Sequence, residues 1–286
     1  MGRIAYVNGR YQRHADAAVH IEDRGYQLAD AVYEVWSVFG GKLADAEGHF
    51  ARLARSLGEL QIPEPMSRAA LTIVLREVLR RNQVREGLIY LQISRGVAPR
   101  DHAFPEADLS PSVVITAKSL DRAASEAKAA KGITVITTPE NRWGRCDIKT
   151  VQLLYPSLGK MEAKARGADD AWMVRDGVVT EGTSNNAFIV TKEGAIVTRP
   201  LSHSILPGIT RAALIAYSQA NGTKIEEREF TIEEAKKAAE AFITSASVFV
   251  GPVVSIDGVE LSGGKPGPVT LGLRKTYIEE SLRRAL

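Results

Sequence analysis

A polar, alanine-rich stretch divides the hydrophobic pattern of this 286-residue chain into two parts. From Lys118 to Lys131 the sequence shifts towards Ala, Lys, Ser and Glu, which is typical of a solvated linker or a short exposed helix. The chain also has the length at which a single hydrophobic core tends to divide into two. We therefore predict a first domain at residues 1–119, an interdomain linker at 120–130 and a second domain at 131–286.

Before this stretch, strand and helix periodicities alternate. The run Ala31–Phe39 is predicted as a strand, and apolar residues at helical spacing between Phe50 and Leu60 predict a helix. Ser67 is the expected N-cap of a second helix. Two β-rich runs, 88–94 and 113–117, are predicted to complete a sheet beneath these helices.

After the stretch, strand and hairpin signals dominate. Asp176-Gly177 is predicted as a turn between two short strands, and Thr231 with Glu234 forms a capping box. The predicted strands lie at 171–174, 178–179, 187–190 and 195–198, and the predicted helices at 151–167, 209–220, 231–240 and 268–285. The pattern as a whole predicts an α/β (α+β) chain.

Composition and charge exclude several classes of protein. The 37 basic and 34 acidic residues are spread along the whole chain, so no segment carries the dense positive charge of a nucleic-acid binder. The longest apolar stretch, Val248–Ile256, is far shorter than the ~20 residues needed to cross a bilayer. The single cysteine, Cys146, excludes an intrachain disulfide and fits a reducing compartment. We therefore expect a cytoplasmic protein that binds small molecules or a second copy of itself, and neither nucleic acid nor membrane.

Common nucleotide and metal motifs are not matched. The segment Ser262–Pro266 resembles a phosphate loop, but Val259 stands where that motif needs its first glycine, so a surface loop is the expectation. No histidine spacing suits a metal, and we expect no metal site.

A candidate anion site precedes the predicted helix at 209–220. In Leu206–Arg211, Gly208 frees the backbone at the helix entry, and the amides of Ile209 and Thr210 would point out at the positive end of the helix dipole. An ordinary loop-to-helix junction has the same pattern. Thr244-Ser245 offers two hydroxyls to the same anion or forms a plain strand end.

Two other segments carry groups suited to one cofactor. Glu181–Asn186 is rich in hydrogen-bonding side chains, although a polar turn is the simpler interpretation, and Lys149 taken alone resembles a solvated lysine. An anion site, a carboxylate and a reactive lysine together are what pyridoxal phosphate requires for its phosphate, ring nitrogen and aldehyde. The combination predicts a pyridoxal-phosphate site.

At these residues the sequence resembles the fold-type IV pyridoxal-phosphate transaminases, and among them most closely the D-amino acid transaminases. The matching blocks are Glu22–Gln27, Asp30–Glu34, His49–Leu53, Ser94–Gly96, Arg145–Lys149, Thr180–Gly182 and Leu206–Arg211. The resemblance covers nearly the whole chain. It implies a homodimer with a small α/β N-terminal domain and a larger β-barrel-like C-terminal domain.

The resemblance also implies roles for individual residues. Lys149 would bond to the cofactor and later move the substrate's α-proton, and Glu181 would pair with the pyridine nitrogen. The expected phosphate ligands are Arg52, the amides of Ile209 and Thr210, and the hydroxyl of Thr244, with Ser245 beside it and Leu206 packed against the ring. A guanidinium beside a phosphate dianion is also electrostatically favoured.

Substrate recognition depends on a second motif. Arg100 and His102, with Tyr33, match the group that holds the α-carboxylate in D-amino acid transaminases, where the Arg-x-His pair often comes from the neighbouring subunit. A solvated Arg-His pair is the alternative. Three positions depart from the family pattern, namely Ala29 and Ala31 where glycine is frequent and Asn185 where serine is frequent, and they put side-chain preference and turnover in doubt.

The function implied by the resemblance is ping-pong amino transfer between D-amino acids and 2-oxo acids, with D-alanine, D-glutamate, pyruvate and 2-oxoglutarate as expected substrates. Alternatives of the same fold are a branched-chain L-amino acid transaminase, an R-selective amine transaminase and an aminodeoxychorismate lyase. A more distant alternative is a binding protein for phosphate-bearing ligands that has no catalytic activity.

Overall fold

The structure is a computed structural model that describes residues 2–106 and 108–286. Its helices are α1 Arg24–Leu28, α2 Ala46–Glu59, α3 Arg68–Arg81, α4 Arg122–Lys131, α5 Leu154–Ala165, α6 Ile209–Ala220, α7 Ile232–Lys237 and α8 Pro268–Arg284. Its strands are β1 Ile4–Val7, β2 Arg10–Arg13, β3 Ala31–Phe39, β4 Lys42–Leu43, β5 Gly87–Ser94, β6 Ser112–Ser119, β7 Ile133–Pro139, β8 Asp170–Arg175, β9 Val178–Gly182, β10 Asn186–Val190, β11 Ile196–Thr198, β12 Ile225–Glu227, β13 Glu240–Ser245, β14 Phe249–Ile256 and β15 Val259–Glu260.

The chain divides into two compact units. The first contains residues up to 121 together with 148–152 and 284–286, and the second contains 122–147 and 153–283. The short segment 148–152 therefore belongs to the first unit although its sequence neighbours on both sides belong to the second. This placement decides which residues surround Lys149.

The first unit is built on a six-stranded antiparallel sheet in the order β2-β1-β6-β5-β3-β4. Strands β3 and β5 pair from Ala31 opposite Ser94 to Val38 opposite Gly87. In β5 alternate residues are fully buried, as expected when one sheet face packs against helices. On that face Trp36 of β3 lies 5.4 Å from Phe50 of α2, measured between ring centroids, so α2 is fixed directly over β3.

Helix boundaries in this unit follow the capping chemistry. The Ser67 hydroxyl accepts a hydrogen bond from the amide of Ala70 at 3.3 Å, so the predicted N-cap of α3 is confirmed. Helix α2 begins at Ala46, four residues before the apolar periodicity first indicates it. Its inward face includes the polar residues His49 and Arg52, which an apolar pattern does not register.

The second unit is built on a nine-stranded mixed sheet, with eight strands in the order β12-β11-β10-β13-β14-β7-β8-β9 and β15 beside β14. Side chains from seven of these strands meet in a single hydrophobic cluster with Trp172 and Phe230 among its largest members. Side chains from so many strands reach one cluster only if the sheet curls around it. The predicted mixture of α and β structure and the barrel-like curl are therefore confirmed.

Several predicted elements differ from the structure in detail. Residues 122–131, within the stretch interpreted as a linker or short helix, form α4, in which only Ala129 is buried. The helix predicted at 231–240 ends at Lys237, because Glu240 starts β13 and its carboxylate accepts the amides of Val269 and Thr270 at the start of α8. The Thr231 hydroxyl accepts the amide of Glu234 at 3.1 Å, as the capping box predicts.

Candidate active site

Lys149 lies in the short segment that runs along the free edge of β3. The amide of Tyr33 donates to the carbonyl of Lys149 at 3.0 Å, and the amide of Val151 donates to the carbonyl of Ala31 at 3.1 Å. The amide of Lys149 itself donates to the Ser56 hydroxyl of α2 at 3.3 Å. These bonds fix the backbone at the lysine, so only its side chain retains conformational freedom.

The amine of Lys149 lies over an aromatic ring. Its Nζ is 4.2 Å from the centroid of Tyr33, and the Tyr33 ring stacks on Tyr90 with centroids 5.7 Å apart. Burial, with a contribution from Tyr33, raises the pKa of Tyr90 to about 12. Tyr90 therefore stays protonated at neutral pH and donates to Gln92 at 2.7 Å. Two of the predicted site residues, Lys149 and Tyr33, are thus in contact.

Arg52 of α2 is buried in an ion pair with β3. Its Nε and one terminal nitrogen each donate to the carboxylate of Glu34 at 2.7 Å, and His49 contacts the same carboxylate at 2.7 Å. Burial alone would raise the pKa of Glu34, but Arg52 and His49 lower it to about 2. Burial lowers the pKa of His49, so its imidazole is neutral at pH 7 and Nδ1–H donates to Glu34. Glu34 thus holds the Arg52 guanidinium in one orientation.

Glu181, near the end of β9, is a buried carboxylate with three donors. Arg142 donates to Oε1, the Asn186 amide donates to Oε2 at 2.9 Å, and the amide of Leu206 lies 3.2 Å from both oxygens. Burial raises the pKa of Glu181, while Arg142 and the Leu206 amide oppose the rise by favouring the ionised form. These three donors therefore favour the ionised form of Glu181 and oppose the effect of its burial.

Arg142 is itself held by a second carboxylate. Glu140 accepts from the Arg142 backbone amide at 3.0 Å and from Nε at 2.9 Å, and the Thr180 hydroxyl donates to Glu140 at 2.7 Å. Although burial raises the pKa of Glu140, the bonds from Arg142 and Thr180 lower it below its ordinary value. One guanidinium therefore joins two carboxylates, and its orientation toward Glu181 is fixed.

The start of α6 has the geometry of an anion site. Its N-cap residue is Gly208, which has no side chain to hydrogen-bond the first amides of the helix. A Cβ on Gly208 would lie 2.0 Å from the side-chain oxygen of Asn186, so only glycine fits here. Asn186 also donates to the carbonyl of Leu206 at 2.9 Å and pairs across the sheet with Thr244.

Thr244 supplies an independent sign of a ligand. It is 2% exposed, and its hydroxyl has no hydrogen-bond partner within residues 2–106 and 108–286. A buried hydroxyl normally has a partner. The amides at the start of α6 and the Thr244 hydroxyl are donors that suit a phosphate, and the predicted pyridoxal phosphate fits these residues. Ser245 differs, because its hydroxyl accepts the amide of Val248 at 3.2 Å.

Arg100 and His102 lie on an exposed loop. Neither side chain makes a hydrogen bond or ion pair with any residue of the described ranges. The structure thus joins Lys149 with Tyr33 in the first unit, and Glu181 with Leu206 and the start of α6 in the second. It leaves the predicted carboxylate-binding pair exposed to solvent.

Comparison with known proteins identifies the family. Residues 31–256 match the family described as amino-transferase class IV. The chain belongs to this family. It is 42% identical over 96% of its length, and 95% of the relative's, to a protein named D-alanine aminotransferase from Bacillus licheniformis. It is 39% identical to one of the same name from Staphylococcus haemolyticus, over 95% of each chain. The resemblance predicted from the motifs is thereby confirmed, and the chain is an aminotransferase.

Solved structures confirm the fold. A branched-chain amino acid aminotransferase from Escherichia coli superimposes with a TM-score of 0.91 at 25% identity, covering 100% of this chain and 97% of that one. A branched-chain amino acid aminotransferase from T.th., solved with pyridoxamine 5'-phosphate, gives 0.88 at 26% identity, covering 99% and 95%. The aminotransferase therefore has the predicted fold-type IV architecture.

Two residues of the site had no role in the sequence interpretation. Arg142 lies 39 positions before Glu181, and Asn186 stood within the segment interpreted as a polar turn. The sequence held an electrostatic indication of Arg142, since a glutamate on a buried strand needs a cation nearby.

In the described part of the aminotransferase no cluster of metal-binding side chains occurs, and none of its helices has the length and apolar character needed to span a membrane.

The first prediction concerns Glu34. Because its folded-state pKa is about 2 and its ordinary value 4.5, its ion pair stabilises the fold above pH 4.5 and loses this effect as the pH falls towards 2. Glu34→Gln should lower the Tm at pH 7 by about 5–10 °C, corresponding to about 3 kcal/mol for loss of the carboxylate that faces the buried Arg52. Calorimetry should show that the difference in Tm between wild type and Glu34→Gln becomes smaller between about pH 5 and about pH 3.

Glu47→Gln is the matched control. Glu47 pairs with Arg68 on the exposed side of the same helix, where an ion pair contributes little. Its Tm should stay close to wild type at each pH. If Glu34→Gln lowers the Tm by the same amount at every pH, this would contradict the ionised state assigned to Glu34.

The second prediction concerns Gly208. Gly208→Ala places a methyl group against Asn186 and should displace the start of α6, so that inorganic phosphate binds about tenfold more weakly in a thermal-shift titration. Gly272→Ala is the control, because Gly272 lies exposed in α8 with no atom within 4 Å of the added methyl group. Equal responses of the two variants to phosphate would exclude an anion site at α6.

Proposed function

We propose that the chain catalyses pyridoxal-phosphate-dependent amino transfer between D-amino acids, such as D-alanine and D-glutamate, and 2-oxo acids, such as pyruvate and 2-oxoglutarate. One observation carries the chemistry: the Asn186 amide bonds both the buried Glu181 carboxylate and the Leu206 carbonyl before α6, and Asn186 pairs across the sheet with Thr244, whose buried hydroxyl has no hydrogen-bond partner among the described residues. The Glu181 carboxylate suits the ring nitrogen of the cofactor. The amides at the start of α6 and the Thr244 hydroxyl suit its phosphate. The choice of D-amino acids is supported by the D-alanine aminotransferases at 42% and 39% identity.

Bound pyridoxal phosphate supplies an aldehyde that bonds to amines and a ring that withdraws electrons from the bond to the α-hydrogen. Lys149 is the residue that would bond to the aldehyde and would then move the α-proton. Its backbone is fixed by hydrogen bonds to Tyr33 and Ser56. The amine can therefore swing between these tasks while its Cα stays in place.

Glu181 would hold the ring nitrogen in its protonated form, in which the ring is a better electron acceptor. Arg142 favours the ionised form of Glu181, and the Asn186 and Leu206 donors fix the direction of its oxygens. Since burial alone raises the pKa of Glu181, this carboxylate would be prone to protonation without Arg142. Arg142 thus acts on the reaction through Glu181.

Four groups would hold the phosphate: the Arg52 guanidinium, the amides of Ile209 and Thr210, and the Thr244 hydroxyl. Glu34 orients Arg52, and the α6 dipole adds to the attraction. Ser245 contributes less directly, since its hydroxyl accepts the amide of Val248. Leu206 would pack against the ring, and its amide is already bonded to Glu181.

Arg100 and His102, with Tyr33, bind the α-carboxylate of the substrate. A guanidinium donates to both oxygens of a carboxylate, so Arg100 is suited to this role. The exposure of Arg100 and His102 in the single chain is compatible with binding substrate beside a neighbouring subunit. Tyr33 already contacts the amine of Lys149 and would lie beside the reacting atoms.

The second candidate is a branched-chain L-amino acid transaminase, which the solved relatives at 25–26% identity favour. Purified holoenzyme should lose the visible absorption band of its lysine-bound cofactor when D-alanine is added, and pyruvate should restore it. L-Leucine should leave the band unchanged. Bleaching by L-leucine alone would establish the branched-chain alternative and exclude the D-amino acid assignment.

Lys149→Ala is the control for the same experiment. It should lack the band, lose activity by at least about a thousandfold and yield no labelled peptide after borohydride reduction, whereas wild type is labelled at Lys149. Wild-type protein without label at this position would support the non-catalytic phosphate-binding alternative.

We also propose a cytoplasmic homodimer. The exposed apolar residues Leu154, Leu158 and Met161 recur at helical spacing along α5, as expected for a helix that packs against another chain. The single cysteine, Cys146, is free and buried, which suits a reducing compartment.

Light scattering should give a molar mass of about twice 31.0 kDa. Leu158→Glu should shift the protein towards monomer, while Ile73→Glu on the exposed face of α3 should not. A monomeric wild type would contradict the dimer.

A further inference from the structure

Two buried arginines of the first unit share one carboxylate. The Nε atoms of Arg24 and Arg95 donate to the same oxygen of Asp30, at 2.8 and 2.7 Å, and Arg95 also reaches the second oxygen at 3.1 Å. The side chains of all three residues are less than one-tenth exposed. Such a cluster holds one positive charge more than its carboxylate balances, and that excess needs further electron-rich partners.

Backbone carbonyls satisfy part of this excess. Arg95 donates to the carbonyls of Leu60 and Gln61 at 2.6 and 2.9 Å, just beyond the end of α2. These bonds lock the Arg95 guanidinium in place. Arg24, at the start of α1, donates through a terminal guanidinium nitrogen to the carbonyl of Asp101 at 2.8 Å.

The rest of the excess charge is covered by an aromatic ring. The guanidinium carbon of Arg95 lies 3.7 Å from the centroid of Phe104, and that of Arg24 lies 5.8 Å from it. The distance to Arg95 is that of a close cation–π contact. Phe104 is 53% exposed, so burial of its own surface does not account for its position over the two cations.

Both contacts fall on the loop that carries Arg100 and His102. Asp101 lies between these two residues, and Phe104 follows His102 by two positions. Within the loop the Asp101 carboxylate accepts the amide of Ala103 at 3.0 Å, which makes a compact turn between the two attachment points. The loop is thus attached on both sides of His102 to a buried and rigid base.

We infer that Arg24, Arg95 and Phe104 are positioning residues that fix the loop 99–104 so that Arg100 and His102 are presented to the substrate carboxylate. The inference rests on the proposed carboxylate-binding role of Arg100 and His102. The three positioning residues need not touch the substrate themselves. Their effect is to reduce the conformational entropy lost when the loop closes on a carboxylate.

Phe104→Leu tests the anchor, because leucine keeps an apolar side chain but has no ring face for the guanidinium groups. Hydrogen–deuterium exchange of peptides within 97–106 should become about five- to tenfold faster, while peptides of α3 are unchanged. Phe104→Tyr keeps the ring and should exchange as wild type does. Ile73→Ala, which removes an exposed apolar side chain from α3, should leave the loop peptides unaffected.

Kinetics provides the second readout. In Phe104→Leu the KM for D-alanine should rise about five- to tenfold with kcat and the cofactor absorption nearly unchanged, and Phe104→Tyr should restore the KM. Unchanged exchange in Phe104→Leu, or a Tyr variant as impaired as the Leu variant, would overturn the inference.

Arg100→Ala separates this inference from the proposed function. A raised KM in Arg100→Ala, together with fast exchange and a raised KM in Phe104→Leu, supports both. A raised KM in Arg100→Ala with no effect of Phe104→Leu overturns only the anchor. An unchanged KM in Arg100→Ala overturns the carboxylate-binding role, and with it the presentation of that pair by the anchor.

Discussion

The pairing of Arg142 with Glu181 is the interaction on which the buried polar network of the second unit depends. A carboxylate buried in a curled sheet is stable in its charged form only beside a cation and with its remaining oxygens hydrogen-bonded. Arg142 supplies the cation, and Asn186 and Leu206 supply the other donors. Because Asn186 also bonds the segment before α6, the position of the carboxylate and that of the anion site are set together.

Buried pairs of arginine and carboxylate also occur in the first unit, where they orient the arginine side chains. Glu34 fixes Arg52 on α2, and Asp30 fixes Arg24 and Arg95. In each case the acid lies on or beside β3, and the arginines come from helices or loops packed on it. Buried ion pairs add little net stability compared with apolar packing, so their recurrence on one strand is better explained by the need to aim guanidinium groups.

Much of the fold was predictable because it follows local rules. β3 at Ala31–Phe39 and α6 at Ile209–Ala220 have the predicted boundaries, since apolar periodicity and a helix-entry glycine are local signals. The motifs predict site roles for Lys149 and Glu181, and the structure places Lys149 over the Tyr33 ring and Glu181 among three buried donors. Arg142 and Asn186 were not assigned, because their roles arise from contacts made only after β9, β10 and the 206–210 segment come together. The exposed positions of Arg100 and His102 likewise follow from tertiary anchoring rather than from local spacing.

Asn185 shows how a departure from the family pattern can act at a distance. Its side-chain amide nitrogen donates to the Asp170 carboxylate at 2.8 Å, and this bond fixes the orientation of the side chain. Its side-chain oxygen lies 2.2 Å from where a Cβ of Gly182 would stand, and the Gly182 amide donates to the Asn185 carbonyl at 2.8 Å. The turn therefore tolerates Asn185 only because residue 182 is glycine. Since Gly182 directly follows Glu181, Asn185 constrains the backbone that carries the Glu181 carboxylate.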